Sequence, residues 1–126
     1  MADNLIAVVD DDADYRDSVE FWLEIEGFRV RGYKNGSGLL QDAALTTFDC
    51  LIIDYHMPDM DGLELVGRLA ERGFVTPIIL ISSDPSRITR QRASAAGCPL
   101  IEKMALGRML IDDVRRCSPA RAGCLL

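Results

Sequence analysis

The sequence has little that would tie it to a thiolate metal centre, a membrane or a nucleic-acid backbone. Its 126 residues include one histidine and four cysteines, Cys50, Cys98, Cys117 and Cys124. The cysteines form no CxxC pair and have no histidine near them at zinc-like spacing, so they read as reduced thiols. Cys50 and Cys98, beside apolar runs, read as small core residues. The start, "MADNLIAVVDDD", has no basic segment and no long apolar core, which argues against a signal peptide. No apolar run approaches the ~20 residues of a membrane span. The formal net charge of −6 leaves no broad basic surface to displace counterions from phosphates, so nucleic acid is not an expected partner. Proteins, cations or small ligands are expected instead, in the cytoplasm. Only five prolines and 48% hydrophobic residues exclude a disordered chain, and the length suits one domain.

What is present is an alternation of short apolar runs with amphipathic stretches. "LIAVV" (5–9), "FRVRGY" (28–33), "CLIID" (50–54), "PIILIS" (77–82) and "PLIE" (99–102) read as five strands. Tyr15, Val19, Trp22 and Leu23 make one face of a first helix, which Gly27 is placed to end. Further helices are expected at about 36–46, across Leu63, Val66, Leu69 and Ala70, at about 86–96, and across Leu106, Met109, Leu110 and Val114. Nearly continuous apolar strands are those covered by helices on both faces of a parallel sheet. "FRVRGY" alternates as an edge strand would. The expected fold is therefore α/β, a doubly wound five-stranded parallel sheet with its site beyond the carboxyl ends of the strands.

Acids cluster at those ends. The first strand runs into Asp10-Asp11-Asp12, the third into Asp54 and the fourth into Ser82-Ser83-Asp84. If the first and third strands are neighbours, Asp10, Asp11 and Asp54 converge, and like charges that close need compensation. Hard carboxylate oxygens suit Mg2+, which keeps several waters and commonly shares its shell with a phosphate. The alternative is a solvated turn with Asp12 or Asp14 capping the first helix. Asp54 weighs against that for Asp10 and Asp11, because an acid after "LII" is costly at the sheet's edge unless it is paired. Lys103, after "PLIE", is placed to reach toward Asp54 and to neutralise charge on a phosphoryl group. A solvated surface lysine is its alternative, as a cap or turn hydroxyl is for Ser82.

These residues bring in a family. "VVDDD" (8–12), "LIIDYHMPDMDGLEL" (51–65), "PIILISS" (77–83) and "EK" (102–103) resemble the receiver domain of bacterial two-component response regulators, over about residues 4–116. The resemblance implies a flavodoxin-like strand order 2-1-3-4-5 with five helices, a receiver domain at 1–118, and a short tail at 119–126 with no output domain. It implies Asp54 as phosphoacceptor from a histidine kinase or phosphotransfer protein. It also implies Mg2+ at Asp10, Asp11, Asp54 and the His56 backbone carbonyl, Ser82 as switch hydroxyl and Lys103 as phosphate contact. A downstream protein would dock at the fourth helix, fifth strand and fifth helix. Such a domain is a switch rather than an enzyme, although it catalyses its own phosphorylation and dephosphorylation.

Two positions depart from the family's pattern. Met104 follows Lys103 where most members have a proline after a cis bond. A cis bond at a non-proline costs about 2.5–4 kcal/mol, so the loop is expected to run trans and to shift Lys103. Leu100 stands where the family often has a switching Tyr or Phe. Both motivate an alternative, a degenerate receiver that binds partners constitutively. An aspartate-nucleophile phosphatase fits less well, since "DYHMP" lacks the second acid those enzymes carry two positions on.

Overall fold

The Val, Ile and Leu runs extend as strands because branched side chains pack well on a pleated surface, and each is long enough to cross a small sheet. They are β1 (Leu5–Val9), β2 (Arg29–Tyr33), β3 (Cys50–Asp54), β4 (Ile78–Ser82) and β5 (Leu100–Glu102). All pair in parallel, in the order β2-β1-β3-β4-β5. The computed structural model describes residues 4–103 and 108–117. Met104, Leu106 and the tail with Cys124 lie outside them, as do the side chains of Met109, Leu110 and Cys117.

The connections are α1 (Ala13–Ile25), α2 (Gly36–Leu40), α3 (Gly62–Glu71), α4 (Arg87–Ala95) and α5 (Arg108–Cys117). Period-2 alternation along the strands divides the core in two. Ala7, Val9, Leu51, Ile53 and Leu80 pack with Leu39, Leu65, Leu69 and Ala93 of α2, α3 and α4. Ile6, Val8, Ile52, Ile79, Ile81 and Ile101 pack with Val19 and Leu23 of α1 and Ile111 and Val114 of α5. Helices on both faces explain why the central strands are apolar on both sides, and β2, at the edge, is mostly exposed. Cys50 and Cys98 are buried in the core, as their neighbours in sequence indicated. Among the described residues no helix is long and apolar enough to cross a membrane.

Helix ends follow local chemistry. Asp12 caps α1, accepting hydrogen bonds from the amides of Asp14 and Tyr15, and Gly27 ends it at φ 96°. Asp61 caps α3 and Ser86 caps α4. The helix expected over 36–46 is a correction: α2 stops at Leu40, and a 3-10 turn follows at Leu45–Thr47. Asp42 accounts for the break. Its carboxylate accepts hydrogen bonds from the Ala44 amide at 2.7 Å and from the Tyr33 hydroxyl, and pairs with Arg31 at 3.5 Å. The side chain offers the backbone an alternative to the helical ladder and fastens the segment to the edge strand. The Tyr33 bond and the Ala44 amide hold the Asp42 carboxyl below its ordinary range.

One glycine sets the distance between α3 and the end of β3. A Cβ on Gly62 would lie 2.7 Å from the Asp54 carbonyl oxygen and 2.9 Å from the Tyr55 Cα, both backbone atoms that cannot swing away. The Gly62 amide also donates to the Tyr55 carbonyl at 2.9 Å. Gly67, later in the same helix, faces open space. Gly62→Ala is therefore expected to lower stability by roughly 1–3 kcal/mol through overpacking. Gly67→Ala is expected to raise it by about 0.5–1 kcal/mol through chain entropy. Urea unfolding of the two variants checks this, and equal effects would contradict the close approach.

Candidate functional site

Because the strands are parallel, β1, β3, β4 and β5 deliver their last residues to one edge of the sheet. Val9 is in register with Ile53, so Asp10 and Asp54 emerge side by side. Asp10 is fully buried and Asp54 is 3% exposed, while Asp11 faces solvent. One carboxylate oxygen from each of the three lies within 4.8 Å of the others. The convergence expected from the strand ends is present.

Lys103 enters from the end of β5. Its Nζ lies 2.9 Å from Asp10 Oδ2 and 3.3 Å from Asp54 Oδ2. Its amide donates to the Ser82 carbonyl at 2.8 Å, which ties the ends of β4 and β5 together. Lys103 thus reaches both carboxylates, while Met104, on which the expected trans loop turns, lies outside the described residues. Asp10 is held on every side. Its amide donates to the Tyr33 carbonyl at 3.0 Å, its Oδ1 accepts the Asp12 amide at 2.9 Å, and its carbonyl accepts Arg16 Nη1 at 2.6 Å. Asp54 Oδ1 accepts the His56 amide at 3.3 Å.

Burial, and then the charge of Asp10, push the Asp54 carboxyl up to about 7, against the opposing pull of Lys103. Burial works against the Lys103 ammonium too, but the two carboxylates outweigh it and hold its proton more tightly than usual. Lys103 pairs with Asp10 and Asp54 while Asp11 lies beside them, so carboxylates outnumber the ammonium. Asp10 Oδ2 is buried and makes no hydrogen bond, only the ion pair. A buried anionic oxygen short of donors, two more carboxylates beside it and an exposed side at Asp11 fit a hard divalent cation.

The remaining candidates sit around this pocket. Ser82 is fully buried at the end of β4, and its hydroxyl accepts the Asp84 amide at 3.2 Å. His56 is exposed, and its ring lies 4.8 Å from that of Tyr55. Leu100 is half-buried and packs on the core beneath α4. Three contributors escaped the sequence reading. Arg16 fixes the Asp10 carbonyl, Gly62 admits α3 against Asp54, and Tyr15 lies under Lys103 with the ammonium 4.5 Å from its ring centre. An arginine six residues after Asp10 and an aromatic one position before it were the available signals, and both read as ordinary helix residues.

The family model described as "Response regulator receiver domain" matches residues 6–105. The transcriptional regulatory protein FixJ of Rhizobium meliloti is 30% identical over 121 residues, covering 94% of this chain and 58% of that protein. The transcriptional regulatory protein TdiR of Thauera aromatica is 30% identical over 110 residues, covering 86% and 48%. The chain spans about half the length of these curated relatives. Among solved structures, Vibrio cholerae chemotaxis protein CheY4 superposes with a TM-score of 0.79 at 26% identity, covering 92% of this chain and 99% of that one. A CheY-like receiver domain from Methanospirillum hungatei gives 0.84 at 24% identity, covering 97% and 98%, a likeness of fold alone.

The crowding of charge has a measurable consequence. The Asp54 carboxyl titrates higher in the folded chain than in the unfolded one, so its charging costs stability as pH rises from about 4 through about 7. With chelator present, Asp54→Asn is expected to melt several degrees above the wild type at pH 8 and level with it near pH 4. Melting curves at the two pH values check this; a variant no more stable at pH 8 would contradict it.

Proposed function

The chain belongs to the response regulator receiver domain family, and on that premise we propose that it is a phosphorylation-dependent signalling switch whose phosphoacceptor is Asp54. The observation that carries the reading is one buried carboxylate beside a second, with a single ammonium between them. Such a site is short of positive charge, yet it already holds the donor a phosphoryl group needs.

The donor class is a phosphohistidine on a histidine kinase or phosphotransfer protein. A carboxylate oxygen of Asp54 attacks phosphorus, the P–N bond breaks, and the imidazole leaves with the electron pair and takes up a proton. The product is an aspartyl phosphate. Lys103 is within reach of Asp54 and donates to a phosphoryl oxygen. Asp10, Asp11, Asp54 and the His56 carbonyl would hold Mg2+, which when bound supplies the positive charge that offsets the phosphoryl oxygens. On this reading the chain turns over no external substrate, although the same groups promote its own phosphorylation and dephosphorylation.

Phosphorylation adds roughly −1.5 to −2 charges and strong acceptor oxygens. Ser82 and Lys103 are the nearby donors free to answer them, and both are fastened to strand ends, so a change there reaches β4, β5 and the helices beside them. The output face is α4, β5 and α5, where Arg87, Arg90 and Arg92 stand exposed on an otherwise acidic protein. A downstream protein is the proposed reader. A second reading, a receiver that binds its partner without phosphorylation, rests on Leu100, which gives the face no aromatic ring to switch.

Incubation with Mg2+ and acetyl phosphate, followed by intact mass, separates the two. The wild type is expected to gain one phosphoryl group and Asp54→Asn none, while Lys103→Met loses most of the phosphorylation rate. A wild type that stays unmodified would overturn the switch and leave the constitutive module.

A further inference from the structure

Tyr15, near the start of α1, packs on the core that α1 and α5 share and lies under Lys103. Its placement is more specific than that. Asp12 fixes the first turn of α1 by accepting the Asp14 and Tyr15 amides at 3.1 and 3.2 Å, and the Asp10 carboxylate in turn accepts the Asp12 amide. Arg16, the next residue, ties the same turn to the Asp10 carbonyl at 2.6 Å. The backbone of Tyr15 is thereby tied to the segment that carries Asp10. The Lys103 ammonium sits 4.5 Å from the ring centre while spanning Asp10 and Asp54.

We infer that Tyr15 is a positioning residue for phosphoryl transfer: its ring face carries the Lys103 ammonium and sets the lysine's reach to the acceptor carboxylate. Three physical arguments support this. A lysine side chain has four rotatable bonds, and without a platform its head has many places to go. The carboxylates alone do not fix it, because a compact ammonium bonds anions with little directional preference. An aromatic face supplies the third side, attracts the cation through its quadrupole, and does so more strongly in a site shielded from water. The phenol hydroxyl, by contrast, is buried with no hydrogen-bond partner, so the ring rather than the hydroxyl makes the contact. The nearby Asp10 and Asp54 charges, after burial itself, keep that phenol protonated well above its ordinary range.

The inference rests on Asp54 as phosphoacceptor, and its test is arranged so that the two fail separately. Full-length Tyr15→Phe and Tyr15→Leu are compared with the wild type, each alone and combined with Lys103→Met. The phosphorylation rate with Mg2+ and acetyl phosphate is one readout. The other is the NMR shift of the Lys103 ε-methylene protons, which a ring beneath them moves upfield whether or not the protein is phosphorylated. Tyr15→Phe is expected to keep both the wild-type rate and the upfield shift. Tyr15→Leu is expected to lose the shift and to slow phosphorylation about tenfold, the rate equivalent of a partly desolvated cation–π contact. In the Lys103→Met background it should slow nothing further. A Lys103 signal without the upfield shift in the wild type would overturn the inference, even if no variant folded. So would a Tyr15→Leu rate equal to wild type, or an equal loss in the Lys103→Met background, which would show Tyr15 acting through the fold. If the wild type accepts no phosphoryl group, the acceptor reading fails and the NMR shift still decides the contact.

Discussion

The bridge from Lys103 to both Asp10 and Asp54 is the contact on which the rest of the molecule turns. Two carboxylates buried at adjacent strand ends repel each other, and the burial that brings them together also strips away the water that would screen them. One ammonium at 2.9 and 3.3 Å holds the arrangement together without neutralising it. The fold then serves that contact. Parallel pairing of β1 with β3 sets the acids side by side, parallel pairing of β4 with β5 brings the lysine to the same edge, and capped helix starts fix the loops between.

An incompletely compensated site is costly to a protein at rest, and the cost has a use. On the proposed reading, an added cation or phosphoryl group would change the charge balance of this cluster at the ends of several strands at once. The Lys103 amide on the Ser82 carbonyl makes β4 and β5 part of the same cluster. A switch requires two arrangements close in energy that one event biases. A core closely packed on both faces of the sheet supplies the rigid frame, and the few polar groups at its edge supply the part that can change.

Much of this was legible in the sequence because it follows from strand ends and periodicity. Five strands were located within one residue of their observed bounds at each end, and an acid after "LII" pointed to the pocket before any contact was known. Asp12 read correctly as a cap. The failures have a common cause, the tertiary role of a polar or small residue. The second helix stops early because Asp42 bonds back to Ala44 and across to Tyr33 and Arg31, partners that periodicity does not see. Lys103 reaches both carboxylates from the end of β5, where its amide bonds the Ser82 carbonyl, a tertiary contact that a reading of the loop alone does not give. Tyr15 and Arg16 looked like helix residues because their importance lies in what reaches them from β5 and β1.

The excess negative charge at Asp10, Asp11 and Asp54 would form one site for a divalent cation and a phosphoryl group together. Fluorine NMR of the protein with beryllofluoride, a phosphoryl mimic, tests it most directly. Bound fluorine resonances are expected when Mg2+ and beryllofluoride are both present, and none when Mg2+ is omitted or Asp54 is replaced by alanine. Failure of the wild type to bind with Mg2+ in excess, or binding that persists in Asp54→Ala, would contradict it.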